Sequence, residues 1–161
     1  MSKDSKKSPI EEAEAQTDIY TAYSEAGTKS ENLIKWEEGQ TQEYKEYREL
    51  WESFTGKSEK HPYPVHLDIE VSSRCNLKCT FCARTVRVEA GTWREIKDLD
   101  IDLFNKIIDE AAALGTKALN LNILGEPLLH RKIGDMIKYA KSKGIVDVFF
   151  HTNGMLLSKK K

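Results

Sequence analysis

Val65-His66-Leu67-Asp68-Ile69-Glu70-Val71-Ser72-Ser73-Arg74-Cys75-Asn76-Leu77-Lys78-Cys79-Thr80-Phe81-Cys82 decides the fold. Its first seven residues alternate apolar and polar, the period of a strand. The last eight hold every cysteine of the chain in one window. A strand that runs directly into a thiol-rich loop places reactive side chains at the carboxyl end of a sheet, where α/β proteins bind their ligands.

The same grammar repeats downstream. A polar stretch with Gly91 and Trp93 leads to a helix predicted over Asp102–Leu114, with Leu103, Phe104, Ile107, Ile108, Ala111 and Leu114 inward and Gly115 as its stop. Residues 118–124 alternate again and meet Gly125-Glu126-Pro127. A second helix is predicted over His130–Lys143, with Ile133, Met136, Ile137 and Ala140 inward and Gly144 as the stop. Residues 146–150 form a third strand that runs into Thr152-Asn153-Gly154. Strands alternating with helices imply parallel pairing through right-handed crossovers. That order alone gathers the cysteines, Gly-Glu-Pro and Thr-Asn-Gly onto one rim. Asn-Gly is also a hairpin signal; the preceding βα units favour the crossover reading.

Upstream, residues 1–29 are rich in Lys, Ser, Glu, Ala and Thr, carry few large apolar side chains and read as a disordered tail. Residues 30–60 form a helical segment and connector. Tyr44, Tyr47, Leu50, Trp51 and Phe54 recur at helical spacing behind a Thr41 N-cap, and this stripe reads as a packing face. Residues 64–161 form the α/β domain.

The 161 residues suit one ordinary domain, and apolar residues are 39% of them. Lys and Arg number 25 against 26 Asp and Glu, for a net charge of −1, so no basic excess points to nucleic acid. No apolar run is long enough to span a bilayer, and no charged start is followed by an apolar h-region, so a secreted protein is not expected. A soluble, cytoplasmic protein is expected, and three clustered thiols suit a reducing compartment better than a disulfide framework does.

The Cys-x3-Cys-x2-Cys spacing supplies three thiolates where structural zinc sites usually need four protein ligands. His61 and His66 are not obvious fourth ligands. A four-iron cluster on three thiolates leaves one iron open; a three-thiolate zinc site is the alternative. Arg84, Arg87 and Arg94 read as solvated loop charges, and His130 and His151 as lone histidines near the rim.

The window Cys75–Cys82 resembles the cluster loop of radical S-adenosylmethionine (radical SAM) enzymes, including Asn76-Leu77 and the aromatic Phe81 before the last cysteine. Residues 124–129 resemble that family's Gly-Gly-Glu element, with Leu124 in place of the first glycine, and Thr152-Asn153-Gly154 matches a further family feature. The nearest likeness is to members with a C-terminal domain for auxiliary clusters, the SPASM/twitch group. The resemblance covers roughly residues 64–157 and implies the N-terminal half of a partial (β/α)6 TIM-like barrel, truncated after the third strand. It implies that Cys75, Cys79 and Cys82 hold three irons of a [4Fe-4S] cluster whose fourth iron binds SAM. Phe81 would lie against the adenine, Glu126 would face the SAM ammonium, Gly125 would allow close backbone approach, and Asn153 would be a turn-former with a secondary cofactor contact. The implied chemistry is reductive cleavage of SAM to a 5′-deoxyadenosyl radical that attacks an unknown substrate, with flavodoxin or ferredoxin as electron donor. Either a truncated product or assembly with a second chain is expected, and the former is favoured; alone, the chain is expected to be unstable and inactive.

Overall fold

The computed structural model describes residues 31–54, 61–93 and 96–157. The tail expected over residues 1–29 lies outside them, as do Arg94 and residues 158–161. The chain divides into two compact units, Met1–Lys45 and Glu46–Lys161. Helix α2 (Gln42–Phe54) is the helix expected behind Thr41, and a further helix, α1 (Glu31–Glu38), precedes it. Thr41 Oγ1 accepts from Tyr44 N at 3.3 Å, the bond of an N-cap.

Three strands, β1 (His66–Asp68), β2 (Ala118–Asn120) and β3 (Asp147–Phe149), form a parallel sheet in the order β1-β2-β3. Leu67 pairs with Leu119 and Leu119 with Val148. Between β1 and β2 run α3 (Ala83–Glu89) and α4 (Ile101–Leu114); between β2 and β3 run a 3-10 turn (Pro127–Leu129) and α5 (Ile133–Ser142). The strands are shorter than their alternation suggested, because the chain beyond each ladder turns to build loops. One sheet face supplies the core: Val71, Leu119 and Leu121 pack with Phe104, Ile108, Met136, Ala140 and Ile145, and Leu67, Ile69, Val148 and Phe150 flank them.

Asp100 caps α4 by accepting from Asp102 N and Leu103 N, and Gly115 ends it at φ 101°, a left-handed conformation that favours glycine. Phe104, Ile108 and Ala111 carry its packing. Leu103 and Leu114, expected inward, are 50% and 56% exposed; the apolar stripe of α4 is wider than the surface it meets. The helix expected from His130 begins later. Pro127 opens the 3-10 turn instead, and His130 caps it from a buried position, its Nδ1 accepting from Lys132 N at 3.1 Å. On the other sheet face the Trp51 ring of α2 stands 5.3 Å from that of His66, and Tyr47 is buried beside it. Among residues 150–157 no strand folds back on β3, so Asn153-Gly154 does not close a hairpin there.

Candidate metal and cofactor cleft

The cysteine loop begins where β1 ends, and its base is braced before the first thiol. Ser72 bridges Asp98 in an antiparallel pair, and Ser72 Oγ donates to Asp98 Oδ1 at 2.7 Å. Arg74 donates to both oxygens of Asp98 and, through Nη2, to Leu129 O at 2.7 Å. Arg84, expected to be solvated, is 7% exposed: its Nε donates to Ser73 O at 2.7 Å, so it pins α3 against the loop. Helix α3 (Ala83–Glu89) lies in the polar stretch where the sequence predicts no helix. Cys82 is its N-cap residue, and Cys82 N donates to Cys79 O at 3.1 Å. All three cysteines are free of disulfides and half-buried.

The loop after β2 forms the facing wall. Its turn is held by Glu70, whose carboxylate accepts from Leu124 N at 2.7 Å and Gly125 N at 3.1 Å. Sequence reasoning missed Glu70; its only signal was an acid at the end of a strand. A Cβ on Gly125 would stand 1.8 Å from Ser72 O, so this loop crosses directly over the backbone that leads into the cysteines. Glu126 N completes the crossing by donating to Arg74 O at 2.8 Å. The close approach that Gly125 permits is therefore first of all to the chain itself.

Glu126 is 2% exposed. Its Oε1 accepts from Leu128 N at 3.0 Å and Thr152 Oγ1 at 2.7 Å, and its Oε2 accepts from Asn153 N at 2.9 Å. One carboxylate thus ties the loop after β2 to the loop after β3. Asn153 extends the chain of contacts: its Nδ2 donates to Asn76 Oδ1 at 2.8 Å and lies 3.9 Å from Cys75 Sγ. Phe81 stands 92% exposed at the edge.

Cys75, Cys79 and Cys82, with Phe81, line a single cleft of about 210 Å³, whose other wall is Gly125, Glu126, Thr152, Asn153 and His151. Every site residue singled out in the sequence reaches this cleft. His130 does not line it; its Nε2 lies 2.9 Å from Leu99 O. Among the described residues no group of three or more His, Cys, Asp or Glu side chains converges to hold one metal ion. Three thiols lining one cleft supply, in kind and number, the donors that an iron–sulfur cluster on three thiolates uses, so their chemistry fits such a group.

The model of the Radical SAM superfamily matches residues 69–161. The tungsten-containing aldehyde ferredoxin oxidoreductase cofactor-modifying protein of Pyrococcus furiosus is 35% identical over 95 residues, which is 58% of this chain and 25% of that protein. The GTP 3',8-cyclase of Chlorobaculum tepidum is 36% identical over 95 residues, 58% of this chain and 27% of that one. The chain therefore spans about a quarter of the length of these curated relatives. Among solved structures, BtrN in complex with AdoMet and 2-DOIA superposes with a TM-score of 0.55 at 21% identity, over 63% of this chain and 40% of that one, a likeness of fold.

Proposed function

The chain belongs to the radical SAM superfamily, and from that premise we propose that residues 64–161 are core-domain sequence of a radical SAM enzyme that binds a [4Fe-4S] cluster and SAM in the cleft. One observation carries this reading: the three thiols and the loops after β2 and β3 line the same cleft. Cys75, Cys79 and Cys82 would hold three irons. When bound, the cluster would supply the single electron that splits SAM reductively. The protein's own part is position and charge. Glu126 keeps a carboxylate just beneath the cleft wall, where the SAM ammonium is its natural match. Asn153 steadies the cysteine loop through Asn76, Gly125 keeps the two walls close, and Phe81 offers an exposed ring for the adenine. An external one-electron donor of the flavodoxin or ferredoxin type would complete the system. The relatives differ in what their names say they act on, so family membership supports the shared cofactor chemistry and leaves the substrate to other evidence.

The test is anaerobic reconstitution with iron and sulfide. We expect four irons per chain, an EPR spectrum of the reduced cluster that changes on adding SAM, and loss of both when Cys75, Cys79 or Cys82 is changed to Ala. A colourless protein that holds one tightly bound zinc would replace this reading with that of a three-thiolate zinc module.

A further inference from the structure

The two faces of the sheet carry different chemistry. Leu67, Leu119 and Val148 point to the helix-packed core. The alternate residues form rows across the other face. His66, Ala118 and Asp147 make the lower row, and Asp68, Asn120 and Phe149 the middle one. Glu70, Asn122 and His151 continue the alternation beyond the ladder. Parallel strands covered on both faces usually read as runs of branched apolar residues. This face instead holds carboxyls, amides and imidazoles, and none of its residues is Lys or Arg.

Two rows are already occupied. The lower row lies beside Trp51 of α2. The upper row builds the cleft: Glu70 holds the turn at Leu124 and Gly125, and Asn122 Oδ1 accepts from His151 N at 2.7 Å. The middle row is not used up. Asn120 Nδ2 donates to Asp68 Oδ1 at 2.7 Å and to Asn122 O at 2.8 Å, and His66 Nε2 lies 3.3 Å from the same Oδ1. Both contacts to Asp68 fall on Oδ1. Asp68 Oδ2 has no partner among the described residues, and the side chain is 57% exposed. The Asn120 hydrogen bond, followed by the His66 ring, holds the Asp68 carboxyl below its ordinary range, so it is an anion at neutral pH. In the same row the Phe149 ring stands edge-on to His66 at 5.5 Å and to His151 at 5.9 Å. His151 in turn lines the cysteine cleft.

We propose that Asp68, set by Asn120 and sharing its row with the Phe149 ring, anchors an organic cation, the ammonium or guanidinium group of a polar substrate. The anchor lies two residues, about 7 Å, along the sheet from the cleft level. A held carboxylate with one free oxygen is the partner for a charge-assisted hydrogen bond, an aromatic ring in the same row, edge-on to the His66 ring that meets Asp68 Oδ1, adds attraction for a cation, and no Lys or Arg stands in these rows to compete. That this cation belongs to the molecule that reacts rests on the radical SAM reading; that it binds here does not.

The test uses the whole 161-residue chain, isotope-labelled and metal-free, titrated at low salt with n-butylammonium, n-butylguanidinium, n-butanol and butyrate. Both cations should move the Asn120 side-chain amide and the Phe149 ring signals, whereas the alcohol and the anion should not. Asp68→Asn should weaken the cations about tenfold. Asp109→Asn, a change on the outer surface where Asp109 meets Lys143, should leave them unchanged. Should Asp68→Asn not fold, Phe149→Leu gives the second reading, a several-fold weaker guanidinium. Cations that leave Asn120 unmoved, equal shifts from butanol or butyrate, or undiminished binding in the folded Asp68→Asn chain would each overturn the proposal. Without metal or SAM in the tube, failure of the cluster reading and failure of this one are separate results.

Discussion

Gly125 shows how one missing atom sets the geometry of the cleft. A Cβ there would stand 1.8 Å from Ser72 O, 2.9 Å from Ser72 C and 3.0 Å from Arg74 O. All three atoms are backbone, so no side chain can swing aside. Gly125→Ala must push the loop after β2 away from the base of the cysteine loop and break the Glu126 N to Arg74 O bond. The cost should equal or exceed the roughly 1–3 kcal/mol of ordinary overpacking. Gly134 is the matched control. It lies in α5 with nothing within 4 Å of an added Cβ, so Gly134→Ala should stabilise by about 0.5–1 kcal/mol. Urea midpoints of the two variants should move in opposite directions. A Gly125→Ala chain as stable as the parent would mean that the two loops do not cross this closely.

At the scale of elements, the junction of α2 with the sheet sets a pH dependence. Asp147 sits at the start of β3, half-buried, and burial is the main cause that raises its carboxyl above the ordinary 3.8. Lys141, Arg48 and His66 oppose that shift without cancelling it. Burial, followed by Asp147, likewise raises Tyr47 on α2. A carboxyl raised in the folded state is favoured by folding in its protonated form. Its contribution is therefore fully present below the unfolded value and is lost as pH rises through the folded one. Asp147→Asn should raise the melting temperature at pH 7, and the gain should shrink as the pH falls towards 3.8. A constant gain at all pH values would assign the effect to packing instead. The same elements show what the sequence could disclose. Gly115 and Gly144 were legible as stops, because a positive φ is a local demand that glycine meets. The parallel order was legible because strands alternate with helices. Arg84 and α3 were not, because burial of a guanidinium on Ser73 O depends on how the cysteine loop folds back over its own base. Glu126 was legible as a residue of the loop after β2, but its ties to Thr152 and Asn153 depend on how two loops meet.

For the molecule as a whole, the cysteine loop is the piece that a cluster would change most. It is fixed at one end by Arg74 and Asp98 and at the other by Cys82 at the start of α3. Between them, residues 76–80 belong to no ladder and no helix, and Lys78 is exposed. In the metal-free chain this segment is held by Asn153 through Asn76 and by little else in the fold. Bonds from all three thiols to one centre would stabilise the closed loop by mass action, in the way any group that binds only the ordered state does. Trypsin should therefore cut after Lys78 readily in the metal-free chain and at least about tenfold more slowly after anaerobic loading with iron and sulfide, since cutting of a transiently opened segment follows the population of its open form. Lys138, exposed on α5 away from the cleft, serves as the internal reference and should be cut at the same rate in both. Cys79→Ala should abolish the protection at Lys78 while leaving the rate at Lys138 alone. Equal cutting at Lys78 with and without iron would show that the thiols are not drawn to a shared centre, whatever colour the protein takes on.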